Sequence, residues 1–324
     1  MVKLRYFNKK NKFFHGIMFH HFHDTSNHIK SQGSITAGQF EKKLKLLNKK
    51  NIIKPSDLYK LKNKELPNNK ICITFDDCLK SQYDIALPIL KKYKIKAFFF
   101  IYSNAIFGKI NFHEIFRYFR QKYYKNFSKF YKEFYNEVEI NYSQKKIEKF
   151  IQQNNKKINI WKKRFSFYSK EDIKFRFLRD RFLSQQDYKN IIIKFFKKKK
   201  FDYKNLPKKI IMSKKELRNL QYLGHEIGLH SHSHPTLLEK LPKYKQYLEY
   251  KENKKFLDSM GIRNIKSMSH PNGSYNTKTL KILKDLKIDI GFRQIMSDGQ
   301  KKINNTNLEI SRIDHSEIVR KYKI

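Results

Sequence analysis

Short apolar runs alternate along this chain with longer stretches whose apolar residues share one helical face. Gly16 to His20 reads as a short buried strand, and Phe40, Leu44 and Leu47 then recur at helical spacing. Ile71 to Phe75 is a second strand. Leu79, Tyr83, Ala86, Leu87 and Leu90 follow on one face, which predicts a helix packed back on that strand. Ala97 to Tyr102 is continuously apolar, as expected of a strand covered on both faces. Further along, Ser213 and Glu216 form a capping-box pair ahead of Leu217, Leu220 and Leu223. Strands are predicted at Glu226 to Ser231, Lys266 to Ser269, Asp289 to Arg293 and Leu308 to Ile313, with helices at about 236–260 and 277–287, the latter capped by Asn276. Strand and helix alternate, which predicts a mainly parallel α/β architecture.

Residues 111–205 break this rhythm. They contain no Gly and no Pro and are crowded with Lys, Phe and Tyr. We expect one domain over 1–324, with a core at 15–110 and 206–315 and a helical insertion at 111–205.

Charge modifies the picture only slightly. The 324 residues hold 72 Lys and Arg against 29 Asp and Glu, a formal net charge of +43. A charge of that size favours nucleic acid or an anionic membrane surface. The insertion, however, holds 26 basic and 10 acidic residues, little more than its share. The bias runs through the whole chain, so no specific nucleic-acid partner is expected. An anionic substrate, or one held at an anionic membrane surface, fits better. Two cysteines, Cys72 and Cys78, are too few for a disulfide framework. Met1 to Lys10 is basic without the apolar core of a signal peptide, and no run approaches the ~20 apolar residues of a membrane span. A cytoplasmic location is the expectation.

The candidate chemistry falls at the C-terminal ends of predicted strands, where barrels and open α/β sheets place their sites. Thr74-Phe75-Asp76-Asp77 closes one strand, and His230-Ser231-His232-Ser233-His234-Pro235 closes another. Two carboxylates and two imidazoles four apart make a His₂-carboxylate site for Zn²⁺ or a similar divalent metal, with one carboxylate left as a base. Asp76 and Asp77 can share a site only if the strand breaks between them, since successive strand residues point to opposite faces. Alone, they would suit a helix N-cap and a first-turn acid equally well. His232 lies on the same side as its neighbours if the segment is extended, so spacing leaves it open as a ligand. His225 reads as a supporting or surface residue. His20, His21 and His315 are each placed to be a proton donor or an ordinary polar residue. Asn272, Gly273 and Tyr275 belong to a tight turn that either presents a backbone N–H to an oxyanion or is only a turn.

These segments resemble the polysaccharide deacetylase family, also called the NodB-homology or carbohydrate esterase family 4 proteins. Thr74 to Asp77 is similar to that family's Thr-Phe-Asp-Asp strand end, and His230 to Pro235 to its His-Ser/Thr-x-x-His-Pro segment. Gly224 to Gly228, Phe98 to Ile101 and Ser269 to Asn276 also resemble family segments, in the right order. The resemblance implies a distorted (β/α)7 barrel. It implies Asp76 as general base, and Asp77, His230 and His234 as metal ligands. It implies hydrolytic removal of an N-acetyl, or sometimes O-acetyl, group from an amino sugar, with metal and turn holding the oxyanion. There are departures. The Gly that usually follows the aspartates is Cys78. The Arg expected before the Pro turn is replaced by Ser269 and His270. A C-terminal Leu-x-His is not evident, and Ile313-Asp314-His315 stands in its place. Some bacterial exopolysaccharide deacetylases use a histidine in an N-terminal Tyr-His segment, which Phe19-His20 resembles, so His20 is the implied acid. The substrate expected is an acetamido sugar, with a nucleotide- or lipid-linked precursor favoured by the cytoplasmic reading. Two rivals are a basic binder of RNA or anionic glycan through 111–205, and a metal-dependent hydrolase of another class.

Overall fold

A computed structural model describes residues 16–61, 70–106, 112–164, 168–294 and 306–316. The basic segment Met1 to Lys10 lies outside them. Seven strands run in chain order around a closed parallel barrel: β1 Gly16–Phe19, β2 Cys72–Phe75, β3 Phe98–Ile101, β4 Glu226–Leu229, β5 Ser267–Ser269, β6 Ile290–Gln294 and β7 Ile310–Asp314. Closure is made by β1 on β7, with Gly16 opposite Arg312 and Met18 opposite Asp314. The (β/α)7 barrel implied by the resemblance is the observed fold.

Period-two alternation sorts each strand into two layers. Cys72, Phe98, Phe100, Ile290, Phe292 and Ile310 cluster together in the barrel interior. Their odd and even neighbours, among them Ile17, Phe19, Ile73, Phe75, Phe99 and Ile101, pack outward against helical residues such as Phe40, Leu90, Leu217 and Leu257. The interior is narrow, and two positions show it. A Cβ on Gly228 would stand 2.7 Å from the Phe100 ring, and one on Gly16 would stand 2.8 Å from the Arg312 Cβ. Glycine there is the condition for large side chains at the facing positions.

The apolar face from Leu79 to Leu90, predicted as one helix, is split. A π-helical turn covers Gln82–Ala86 and an α-helix covers Leu87–Lys92. Pro88 has no N–H and cannot continue the i→i−4 ladder, so the chain widens before it. The helix predicted at 236–260 begins only at Lys243, because Pro242 and a 3₁₀ turn at Leu238–Lys240 precede it.

The chain divides into two compact units. The second comprises Ile110–Leu206 together with Ile29–Gly33, a segment that the sequence pattern does not assign to it. It is built from helices Phe112–Tyr123, Phe127–Asn141, Gln144–Arg164, Lys170–Phe177 and Gln185–Lys198. Phe134 meets Phe175 edge to face at 4.8 Å. A buried ion pair joins Arg120 to Asp172 at 3.1 Å, and Gln32 donates to the same carboxylate at 3.0 Å. That contact explains why Ile29–Gly33 belongs here.

His225, just before β4, gives a pH prediction. Its Nδ1 accepts from the Ala97 N–H at 3.2 Å and its ring stands edge-on to Phe99 at 5.4 Å. Burial, and then the nearby Lys96 and Lys91, push its pKa down to about 4. A depressed histidine contributes stability that is complete above its unfolded value near 6.5 and is lost as pH falls towards 4. The loss expected from this group is about 3 kcal/mol. His225→Asn keeps an acceptor for Ala97 without a titration in this range. Urea denaturation at pH 7 and pH 4.5 checks it: the variant's stability should depend less on pH than the wild type's.

Candidate active site

The inward face of the barrel continues past the strand ends, and there the polar residues begin. Asp76 keeps the ladder for one more residue, its N–H donating to the Phe19 carbonyl at 3.2 Å. The chain then reverses, with Asp77 at φ 76° and Cys78 at φ 58°. Both are left-handed, a region that favours glycine. This break is what turns the Asp77 carboxylate to the same side as Asp76. Cys78 is fully buried there, and the Met212 N–H holds its carbonyl at 2.9 Å. Burial pushes the Cys78 thiol pKa well up, so it stays a packing group.

The histidine segment is bent in a comparable way. The His230 N–H donates to the Ile101 carbonyl, extending the β4 ladder, and shares its hydrogen with Asn253 Oδ1 at 3.0 Å. Ser231 at φ 66° and His234 at φ 56° fold the rest back. Glu249, one turn before Asn253 on the helix Lys243–Ser259, accepts from the backbone N–H groups of His232 and Ser233. The result brings His234 Nε2 to 3.2 Å from His230 Nε2. His232 turns elsewhere, with Nδ1 2.7 Å from Ser103 Oγ.

Asp77, His230 and His234 converge, their ligand atoms within 4.8 Å of one another. Asp77 Oδ1 is 3.4 Å from His234 Nε2 and 3.6 Å from His230 Nε2. It is buried and accepts no hydrogen bond among the described residues. His230 Nδ1 faces the Ser269 carbonyl at 2.9 Å. That contact places a proton on Nδ1 and leaves Nε2 a lone pair. An orphaned carboxylate oxygen and two facing imidazole nitrogens fit a divalent cation with nitrogen and oxygen ligands. Burial pushes the Asp77 carboxyl up, but the three surrounding histidines hold it well below the usual carboxylate range. Burial lowers the His234 pKa, favouring the neutral, ligating imidazole.

Asp76 is held by a residue that the sequence pattern did not single out. Arg312, fully buried on β7, donates to Asp76 Oδ1 at 2.8 Å and to Oδ2 at 2.5 Å. It also donates to Thr74 Oγ1 and Ser269 Oγ. Burial pushes the Asp76 carboxyl up, and Arg312 first among its neighbours outweighs this, so Asp76 is ionised at neutral pH. An arginine therefore does pair with Asp76, but it comes from β7 and not from the position before the Pro turn. Its signal in the sequence is a lone Arg within the predicted strand Leu308 to Ile313, and the structure sets it opposite Gly16.

His20 lies beside both carboxylates, its Nε2 3.9 Å from Asp76 Oδ2 and 3.9 Å from Asp77 Oδ2. Its Nδ1 is 3.9 Å from Asp314 Oδ2. His21 stacks on His20 at 6.1 Å. His315 is buried and stacks on Phe19 at 5.1 Å. The Gly273 N–H donates to the His270 carbonyl at 3.0 Å, and Tyr275 Oη donates to Glu309 at 3.0 Å. The Gly273 N–H is thus taken up inside the turn, and the Tyr275 hydroxyl is taken up by Glu309. Asn272, at φ 53°, is the exposed tip of that turn.

Comparison with known proteins agrees with this geometry. The poly-beta-1,6-N-acetyl-D-glucosamine N-deacetylase of Staphylococcus aureus is 37% identical over 100 residues, 30% of this chain and 34% of that protein. The enzyme of the same name from Staphylococcus epidermidis is 44% identical over 71 residues, 22% of each chain. The matched stretch thus spans about a third or less of these relatives' length. Among solved structures, the Streptococcus pyogenes deacetylase PplD in complex with acetate superposes with a TM-score of 0.52 at 18% identity, covering 94% of this chain and 92% of that one. A de-N-acetylase from Aggregatibacter actinomycetemcomitans gives 0.52 at 14% identity, over 92% and 93%. Both share the fold. The model of the family described as polysaccharide deacetylase matches residues 63–167 and 187–291, running on through much of the helical segment. With more than half of its length matched, the chain belongs to the polysaccharide deacetylase family.

Proposed function

We propose that this protein is a metal-dependent N-deacetylase acting on a polymer of acetamido sugars. One observation carries the reading: three converging ligand atoms stand beside a separately ionised carboxylate and a histidine, all within 3.9 Å contacts. Asp77, His230 and His234 would hold the cation, and the donor set suits Zn²⁺. When bound, such a cation supplies Lewis-acid polarisation of the amide oxygen and lowers the pKa of water.

The chain's own residues do the rest. Asp76, kept charged by Arg312, takes a proton from the water that attacks the acetamide carbonyl carbon. His20 gives a proton to the nitrogen as the C–N bond breaks, since an amide ion leaves poorly. The Asp314 carboxylate lies 3.9 Å from the other His20 nitrogen, Nδ1. The products are acetate and a free amino sugar. The names of the matched relatives support a β-linked N-acetylglucosamine polymer over a nucleotide- or lipid-linked precursor.

Mass spectrometry of N-acetylglucosamine oligomers after incubation tests this. Each turnover should remove one acetyl group. A chelator should abolish the reaction and added Zn²⁺ should restore it. Phosphate release from a phosphoester without acetyl loss would favour a hydrolase of another class. Unchanged deacetylation by demonstrably metal-free protein would remove the cation from the reading.

A further inference from the structure

Gln82 opens the π-helical turn Gln82–Ala86 and is completely buried. Its side-chain amide has two hydrogens, and each finds a backbone carbonyl. Nε2 donates to the His20 carbonyl at 2.9 Å and to the Asp76 carbonyl at 2.5 Å. The β1–β2 ladder ends one step earlier, with Asp76 N–H on the Phe19 carbonyl. Past that point Gln82 ties the two strand extensions together. Its neighbour Ser81 adds a second tie, accepting from the Phe22 N–H at 3.4 Å. Gln82 Oε1 is buried with no hydrogen-bond partner among the described residues. The site therefore uses the donor half of the amide and leaves the acceptor half unsatisfied, an arrangement that works against stability. π-turns of this kind are rare and concentrate at functional sites.

We propose that Gln82 is the positioning residue that sets the general acid against the general base. By clamping the backbones of His20 and Asp76, it holds their side chains at the 3.9 Å separation seen here. The inference rests on the deacetylase reading for the roles of those two residues, but the clamp itself can be tested apart from it.

Two variants of the full-length, zinc-loaded protein decide the matter. Gln82→Leu keeps the bulk and removes both donors. It should lower kcat on an acetamido-sugar oligomer by ~10-fold or more, less than the ~10²–10⁴-fold of losing an acid–base group outright, with KM and zinc affinity within about threefold. The loss should be smaller on an activated acetate ester, whose leaving group needs less protonation from His20. Gln82→Glu is isosteric, but its carboxyl carries at most one proton for two carbonyls. Its activity should fall as that proton is lost, moving the alkaline limb of the pH profile to lower pH. A readout independent of turnover is hydrogen exchange at the Phe22 and His23 amides, expected to quicken ~10-fold in Gln82→Leu while β2 amides are unchanged. Wild-type activity in both variants with unchanged exchange would overturn the proposal. So would equal losses on amide and ester accompanied by loss of zinc, which would mark a purely structural role. If the wild type shows no deacetylation, the reading of function fails, and the exchange measurement still decides whether Gln82 clamps the two segments.

Discussion

Asp76→Asn is expected to lower turnover on an acetamido-sugar oligomer by ~10²-fold or more, the scale of a lost acid–base group, while zinc affinity stays within a few-fold. The carboxylate of Asp76 is 3.8 Å from His230 Nε2, near the cluster of Asp77, His230 and His234 but outside it. Asparagine keeps the shape and one acceptor for Arg312, yet cannot take a proton from water. Its NH₂ group also faces Arg312 or Ser269, two donors, so some stability is lost, and the assay belongs well below the melting temperature. Single-turnover kinetics and a zinc titration on the same preparation check the prediction. Near wild-type turnover would move the base role to another group. Loss of zinc in parallel would make Asp76 a ligand.

Arg312→Met is the second large effect. Removing one partner of a buried ion pair typically costs about 3–5 kcal/mol, because the other charge is left uncompensated. Asp76 would be that charge. In the wild type its carboxyl is held below its ordinary value, so the pair contributes stability above the unfolded pKa and loses it as pH falls through the lower, folded one. With Arg312 gone, burial is opposed only by the nearby His230 and His20, and the carboxyl moves up. The acid limb of kcat/KM should then move to higher pH, with activity recovering as Asp76 ionises. Urea denaturation and a pH–rate profile read the two effects. The double variant Asp76→Asn with Arg312→Met should lose clearly less stability than the two single losses added, the mark of direct coupling. An unchanged acid limb would show that Arg312 does not govern the charge on Asp76.

The fold was largely legible in the chain. Continuous apolar runs such as Phe98 to Ile101 mark strands covered on both faces, and amphipathic stretches between them mark the helices. Two caps read from the sequence, Ser213 with Glu216 and Asn276 with Thr277–Asp285, are present in the structure. Legibility failed where one residue interrupts a periodic face. Pro88 splits the Leu79 to Leu90 face, although every apolar residue on it points the expected way. It failed again at Ile29–Gly33, whose place in the helical unit depends on Gln32 meeting Arg120 and Asp172, residues far along the chain.

By itself the sequence brought Asp76 to the cluster of Asp77, His230 and His234. Each pair is local, and strand ends in a parallel barrel all open at one rim, so two short segments suffice to imply one site. The sequence could not say how the adjacent aspartates share a side, because that depends on left-handed backbone at Asp77 and Cys78. Nor could it find what holds the cluster. Arg312 reaches Asp76 across 236 positions, Glu249 and Asn253 hold the histidine segment from a separate helix, and Gly16 makes room for Arg312 only because β7 closes on β1. Those contacts carry no local periodicity. They exist because barrel closure brings the last strand beside the first, and only the tertiary structure decides which side chains then share the interior.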